Sequence, residues 1–182
     1  MKNHILFVWI TYSLLFNISW AMPPSQLDFQ PSRGEVELKS IATATWLGFI
    51  DVYDAALYAA PEVQARQVLR GNHPFSLELH YKVSISKSQL INSADEVLSR
   101  QHTKNQRALY QSDINALHDF YQDVTKGDRF RIDIRHDKGL YLFFNDELLY
   151  QNTNISFARY YLGLWLAENS LSESLRKELL NW

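Results

Sequence analysis

The chain has 182 residues, with 18 Lys and Arg against 20 Asp and Glu for a formal net charge of −2. Its basic residues are interleaved with carboxylates and form no stripe that could track phosphates, which argues against a nucleic-acid partner. With no cysteine, disulfides, thiol chemistry and cysteine metal sites are excluded. An aromatic content of 14% has to be used in a core or on a ligand surface.

Lys2 precedes an apolar run from Ile5 to Trp20 that closes on Ser19-Trp20-Ala21. This is the layout of a signal peptide whose small residues fit the subsites of a signal peptidase. Residues 1-21 are therefore set aside, cleavage is expected after Ala21, and a periplasmic address follows. An uncleaved anchor is the other reading of the run. No cysteine follows it to carry a lipid, and no later segment is apolar enough to span a bilayer. Residues 22-34 hold three of the five prolines and no periodicity, so they predict an extended lead into a single domain over 35-182.

From Val36 the residues Val36, Leu38, Ser40, Ala42, Ala44 and Trp46 alternate with Glu37, Lys39, Ile41, Thr43 and Thr45, the period of two of a strand with unlike faces. Gly48 marks a bend. Phe49 to Ala59 is apolar on both sides, which predicts a central strand covered on both faces, and Pro61 closes it. Phe75, Leu77, Leu79, Tyr81 and Val83 alternate cleanly with Ser76, Glu78, His80 and Lys82. The period then changes. With Ser86 as N-cap, Leu90, Ile91, Ala94, Val97 and Leu98 make one helical stripe. After a polar break at residues 102–106, Tyr110, Ile114, Leu117, Tyr121 and Val124 predict a second helix running to Gly127-Asp128. Phe130 to Arg135 and Leu140 to Phe144 read as a hairpin, followed by a short strand from Glu147 to Tyr150. Phe157, Ala158, Tyr161, Leu162, Trp165 and Leu166 form a broad helical stripe, and Ser170 with Glu173 predicts a capping box for a last helix ending near Leu180. The order of elements predicts an α+β fold in which helices pack on one face of a large antiparallel sheet.

Several chemistries are absent from the sequence. The six glycines, none closer than twelve residues to the next, make no phosphate-cradling loop. His73, His80, His102, His118 and His136 show neither an i,i+4 pair nor a His-Glu-x-x-His, so they are read as solvated side chains and no metal is expected. Ser84-Ile85-Ser86-Lys87 matches the nucleophile motif of penicillin-recognising enzymes, but its companion motifs are missing and a helix cap explains the serines. No cofactor is implied.

Val52-Tyr53-Asp54-Ala55-Ala56-Leu57-Tyr58, Gly127-Asp128 before a strand, and Leu162-Gly163-Leu164-Trp165-Leu166 followed by Leu175-Arg176-Lys177-Glu178-Leu179-Leu180 together resemble the bacterial chalcone isomerase-like family, in an order that matches from about Val36 to Leu180. The resemblance implies an open-faced β-sandwich with a ligand cleft between sheet and helices. True isomerases of that family use an arginine, a threonine, a tyrosine and an asparagine. Non-catalytic plant members are similar in fold and bind fatty acids, with an arginine meeting the carboxylate. In this sequence the arginine position falls near Thr45, the threonine on Gly48, the tyrosine on Leu90 and the asparagine on Val97, and no arginine lies between Arg33 and Arg66. A neutral side chain cannot replace a guanidinium in stabilising an oxyanion, so no catalytic residue is assigned.

The expected function is a secreted, non-catalytic protein that holds a hydrophobic small molecule, a fatty acid or similar, in a neutral cleft. Thr43, Thr45, Trp46, Tyr53 and Tyr81 are the candidate ligand contacts. Tyr58 is a further aromatic that could line the cleft, with core packing as the alternative for all these aromatics. Two other readings stand beside it. One is an enzyme with a relocated active site using Tyr81 or His80; the other is an interaction module of an envelope complex with an unknown protein partner.

Overall fold

The computed structural model describes residues 28–70, 73–136 and 138–182. The expected signal peptide, and the lead up to residue 27, lie outside the described residues. Seven strands, β1 (Ser32–Arg33), β2 (Val36–Trp46), β3 (Ile50–Ala59), β4 (Phe75–Tyr81), β5 (Arg129–Arg135), β6 (Gly139–Phe144) and β7 (Glu147–Asn152), form one sheet in chain order. All neighbouring pairs are antiparallel. Helices α1 (Lys87–Gln101) and α2 (Lys104–Asp119) are inserted between β4 and β5, and α3 (Ile155–Leu166) and α4 (Glu173–Leu179) follow β7. The helices bury their apolar stripes with Ala55, Leu57, Leu77, Leu79, Ile132 and Leu142 in one core, so the helices cover one face of the sheet. This is the α+β arrangement expected from the order of elements, and the open-faced sandwich that the resemblance implies.

The alternation of β3 and β4 sorts their side chains between the two faces. Tyr53, Ala55, Leu57, Leu77, Leu79 and Tyr81 join the main core, whereas Ala56 and Tyr58 pack with Phe29 and Val36 in a small cluster on the reverse face. The reverse face also carries two buried carboxylates, Asp54 and Glu78, each 2% exposed. Asp54 accepts a hydrogen bond from Thr43 Oγ1 at 2.6 Å and pairs with Lys82 Nζ at 2.8 Å. Glu78 is clamped between Arg33 and Arg129, the latter at 2.8 Å. Arg33 lies over the Tyr58 ring and Arg129 over Phe29, so the cations cover the reverse-face aromatics while neutralising the carboxylate.

Three sequence expectations are corrected. The helix expected to reach Gly127 ends at Asp119, and Tyr121 and Val124 lie in an extended segment. An antiparallel bridge between Ile85 and Val124 captures that segment, and Asp123 Oδ1 accepts from the Lys87 backbone N–H at 2.7 Å; these tertiary bonds override the helical spacing. The break expected over 102–106 is only two residues long, because Thr103 caps α2 and forms a capping box with Gln106. The cap of α4 is Ser172, with Ser170 contributing only its backbone N–H to Glu173.

Replacing Glu78 with alanine leaves two half-buried guanidinium groups without their shared anion. The Glu78→Ala variant is expected to lose about 3 kcal/mol of stability, read as a lower urea midpoint with an unchanged slope.

Candidate functional site: a neutral cavity between sheet and helices

An apolar cavity of about 250 Å³ opens between the core face of the sheet and the helices. Its walls come from β2 to β6, from α1 and α3, and from the segments before α1, β5 and α4. Two larger depressions, of about 550 and 450 Å³, are open troughs lined in part by Arg66, Arg70 and Arg176 or by Arg33, Arg131 and Arg135. The smaller cavity is the candidate site because it is less open than either trough, mostly apolar and supplied with a few convergent polar groups, the usual make-up of a small-molecule site.

Those polar groups are the phenols of Tyr53, Tyr81 and Tyr121, the Trp165 indole and the hydroxyls of Thr45, Ser93 and Ser172. Tyr53 and Tyr81 are cross-strand partners whose rings meet edge to face, with centroids 5.6 Å apart. Burial pushes the Tyr53 hydroxyl up to about 12. Burial also pushes the Tyr81 hydroxyl well above the ordinary range of a phenol, helped by the neighbouring phenols of Tyr53 and Tyr121. The Trp165 indole also lines the cavity. It stands close enough to oppose the rise of Tyr53, yet its Nε1–H has no hydrogen-bond partner among the described residues.

Tyr121 connects the cavity to a buried relay. Its hydroxyl lies 2.6 Å from that of Tyr161, which lies 2.9 Å from His118 Nε2. Burial raises both phenols and lowers His118, so all three groups are neutral at ordinary pH. If His118 carries its proton on Nε2, each group donates to the next and Tyr121 offers its O–H to the cavity. With the proton on Nδ1 the chain reverses and Tyr121 offers a lone pair. The relay therefore lets one phenol serve as donor or acceptor without any charge.

Among the described residues no charged side chain lines this cavity. Arg33 is committed to Glu78 on the reverse face, and Arg66 lies in one of the open troughs. No group of three or more His, Asp or Glu among the described residues is placed to hold a metal ion.

The sequence profile described as chalcone isomerase-like matches residues 30–181. The chain belongs to the chalcone isomerase-like family. Among solved structures it is similar to a fatty-acid binding protein of Arabidopsis thaliana, with a TM-score of 0.60 and 14% identity over 84% of this chain and 91% of that one. At this identity the likeness shows the fold. No curated protein sequence matches the chain.

Of the positions at which the resemblance places the isomerase residues of the chalcone isomerase-like family, Thr45 and Leu90 line the cavity. Gly48 sits in the β2–β3 turn and Val97 is buried in the core. Of the candidate ligand contacts, Thr45, Trp46, Tyr53 and Tyr81 are brought together around the cavity. Thr43 is not, because it is paired with Asp54 on the reverse face. Past Ala44 the register of β2 on β3 shifts, and beyond that irregularity Thr45 and Trp46 stand exposed at the cavity mouth. Tyr58 is also corrected to the reverse face, against Arg33. His80 follows the same parity and lies 3.5 Å from Asp28, so it cannot share a site with its neighbour Tyr81.

Sequence reasoning missed Tyr121, Tyr161, Trp165 and His118 as site residues. His118 was expected in solvent and is 6% exposed. Its place on the seam of α2, one residue after Leu117 and four after Ile114, is the signal that could have marked it.

The depressed pKa of His118 has a sign. The unfolded chain takes up a proton below about 6.5, whereas the folded protein resists it until a lower pH, so stability falls as pH drops from 7 towards 5. His80 and His102 are depressed by burial too and act in the same direction. Thermal unfolding of His118→Gln is expected to show a shallower loss between pH 7 and pH 5 than the parent protein. Equal slopes would show that His118 takes no part in the linkage.

Proposed function

We propose that the protein is a non-catalytic, exported member of its family that binds a hydrophobic small molecule in the cavity and holds its polar end by neutral hydrogen bonds. The observation that carries this reading is the cavity wall itself, apolar and uncharged, with phenol and indole groups as its principal donors. An apolar cavity of about 150 Å³ in another protein takes up benzene, so about 250 Å³ here suits a medium-length acyl or alkyl chain. The fatty-acid ligand of the structurally similar plant protein supports that class of molecule. The apolar N-terminal run ending at Ala21 supports export, and N-terminal sequencing of the periplasmic form is expected to begin at Met22.

The polar end of the ligand is constrained by the same wall. A carboxylate taken into an uncharged, low-dielectric site loses its hydration without gaining a counter-ion. A protonated acid, an alcohol or an ester loses far less. Displacement of the neutral dye Nile red is therefore expected to rank dodecanol and methyl dodecanoate above dodecanoate at pH 7.5. Dodecanoic acid should recover affinity as the pH falls towards about 4, where free carboxyl groups take up protons. The Ala94→Leu variant, which fills the cavity from α1, is expected to abolish dye binding while remaining folded by circular dichroism. Dye binding unaffected by Ala94→Leu would place the ligand elsewhere. Conversion of a chalcone to a flavanone by the purified protein would overturn the non-catalytic part of the proposal.

A further inference from the structure

The β2–β3 hairpin ends in Trp46-Leu47-Gly48-Phe49, and three large apolar side chains on it face solvent. Trp46 is 60% exposed, Leu47 66% and Phe49 75%. The turn is closed by a hydrogen bond from the Phe49 N–H to the Trp46 carbonyl at 3.3 Å, with φ of 54° at Leu47 and 78° at Gly48. Two successive central residues with positive φ make a turn of the type in which Asn-Gly or Asp-Gly is the favoured pair. Gly48 fits its place. Leu47 does not: a branched aliphatic residue in the left-handed region is strained, and at this exposure no core packing compensates it. An asparagine would relieve the backbone and remove an apolar group from water, so folding gives no reason for the leucine.

The tip adjoins the entrance to the cavity. Trp46 and Thr45 line it from the hairpin side, and the half-buried Leu90, Leu171 and Ser172 line it from the helical side. A molecule apolar enough to occupy the cavity is poorly soluble in water and resides in a lipid phase before and after it is bound. Trp and Phe on a projecting turn are suited to the headgroup boundary of a bilayer. The charged groups near the tip are already paired, Lys82 with Asp51 and Asp54, so anionic lipid is not needed.

We infer that the Trp46–Phe49 tip is a lipid-surface contact, dipping its three apolar side chains into a bilayer so that the cavity mouth exchanges its ligand directly with the membrane. A contact of this size, with no basic ring around it, is weak and reversible, as exchange requires. The inference rests on the proposed binding of an apolar molecule in the cavity, but its test reads the two separately.

Nile red bound to the protein is mixed with phosphatidylcholine vesicles that carry a quencher, and the transfer rate is followed as vesicle concentration rises. For the parent protein the rate is expected to rise with vesicle concentration, the mark of transfer by collision. For Leu47→Asn combined with Phe49→Ser, two positions that do not line the cavity, the collisional rate is expected to fall at least about tenfold. Adding phosphatidylglycerol or salt should change neither protein's rate much. Leu47→Asn alone should raise the melting temperature, because it relieves the strained turn, so slower transfer cannot be ascribed to unfolding. A rate independent of vesicle concentration, or unchanged in the double variant, overturns the inference even where the dye is bound. So does a concentration-dependent dimer of the parent protein that the double variant loses, since the tip would then cover a second copy. If the protein binds no dye at all, the ligand-binding proposal fails first, and flotation with the same vesicles then decides the tip: flotation of the parent that the double variant loses upholds the contact, and equal flotation of the two removes it.

Discussion

Neighbouring residues on a strand point to opposite faces, and in this sheet the two faces have opposite electrostatic characters. Along β3 and β4, Tyr53, Ala55, Leu57, Leu77, Leu79 and Tyr81 turn towards the helices, while Asp54, Glu78 and His80 turn away. Both buried carboxylates, and the Arg and Lys residues that neutralise them, are thereby confined to the reverse side. A shift of one residue in either strand would put a carboxylate into the apolar interior, at a cost of several kcal/mol. Register, stability and the neutrality of the cavity are therefore one constraint.

That neutrality distinguishes the site from one built to bind anions. A guanidinium in the wall would attract carboxylates and stabilise developing negative charge; phenols held in their protonated form by burial do neither to a comparable degree. The Tyr121, Tyr161 and His118 chain adds adaptability, because its direction can reverse with a tautomer change at almost no electrostatic cost.

Much of this was legible in the sequence where one physical period dominated. The alternation from Val36 to Trp46 and from Phe75 to Tyr81 gave strands in the expected places, and Ser86 is the cap it was expected to be. Alternation also contained a warning that grouping residues by type passed over, since Tyr53 and Tyr58 differ in parity and cannot both face the cavity. Thr43 and Thr45 share parity, and what separates them is the shift in register past Ala44, which has no local signature. Tyr121 was read as the continuation of a helical seam because its spacing is helical. The chain leaves the helix at Asp119 because of bonds to residues more than thirty positions earlier, and no window of sequence records those. The strained Leu47 could not be recognised before the turn geometry was known.

Because the strands are arranged in chain order, β5, β6 and β7 pair across short turns, as do β2 and β3, whereas the β4–β5 pair closes only across the long segment that carries α1 and α2. The helical cover assembles differently. α4 lies against β2, and Ser40 Oγ donates to the Leu179 carbonyl across 139 positions of sequence. α4 thus docks on a strand far earlier in the chain, and that long-range closure completes the walls around Leu171 and Ser172. The cavity is consequently a late product of folding, and a chain halted before α4 would have a sheet but an incomplete cavity wall.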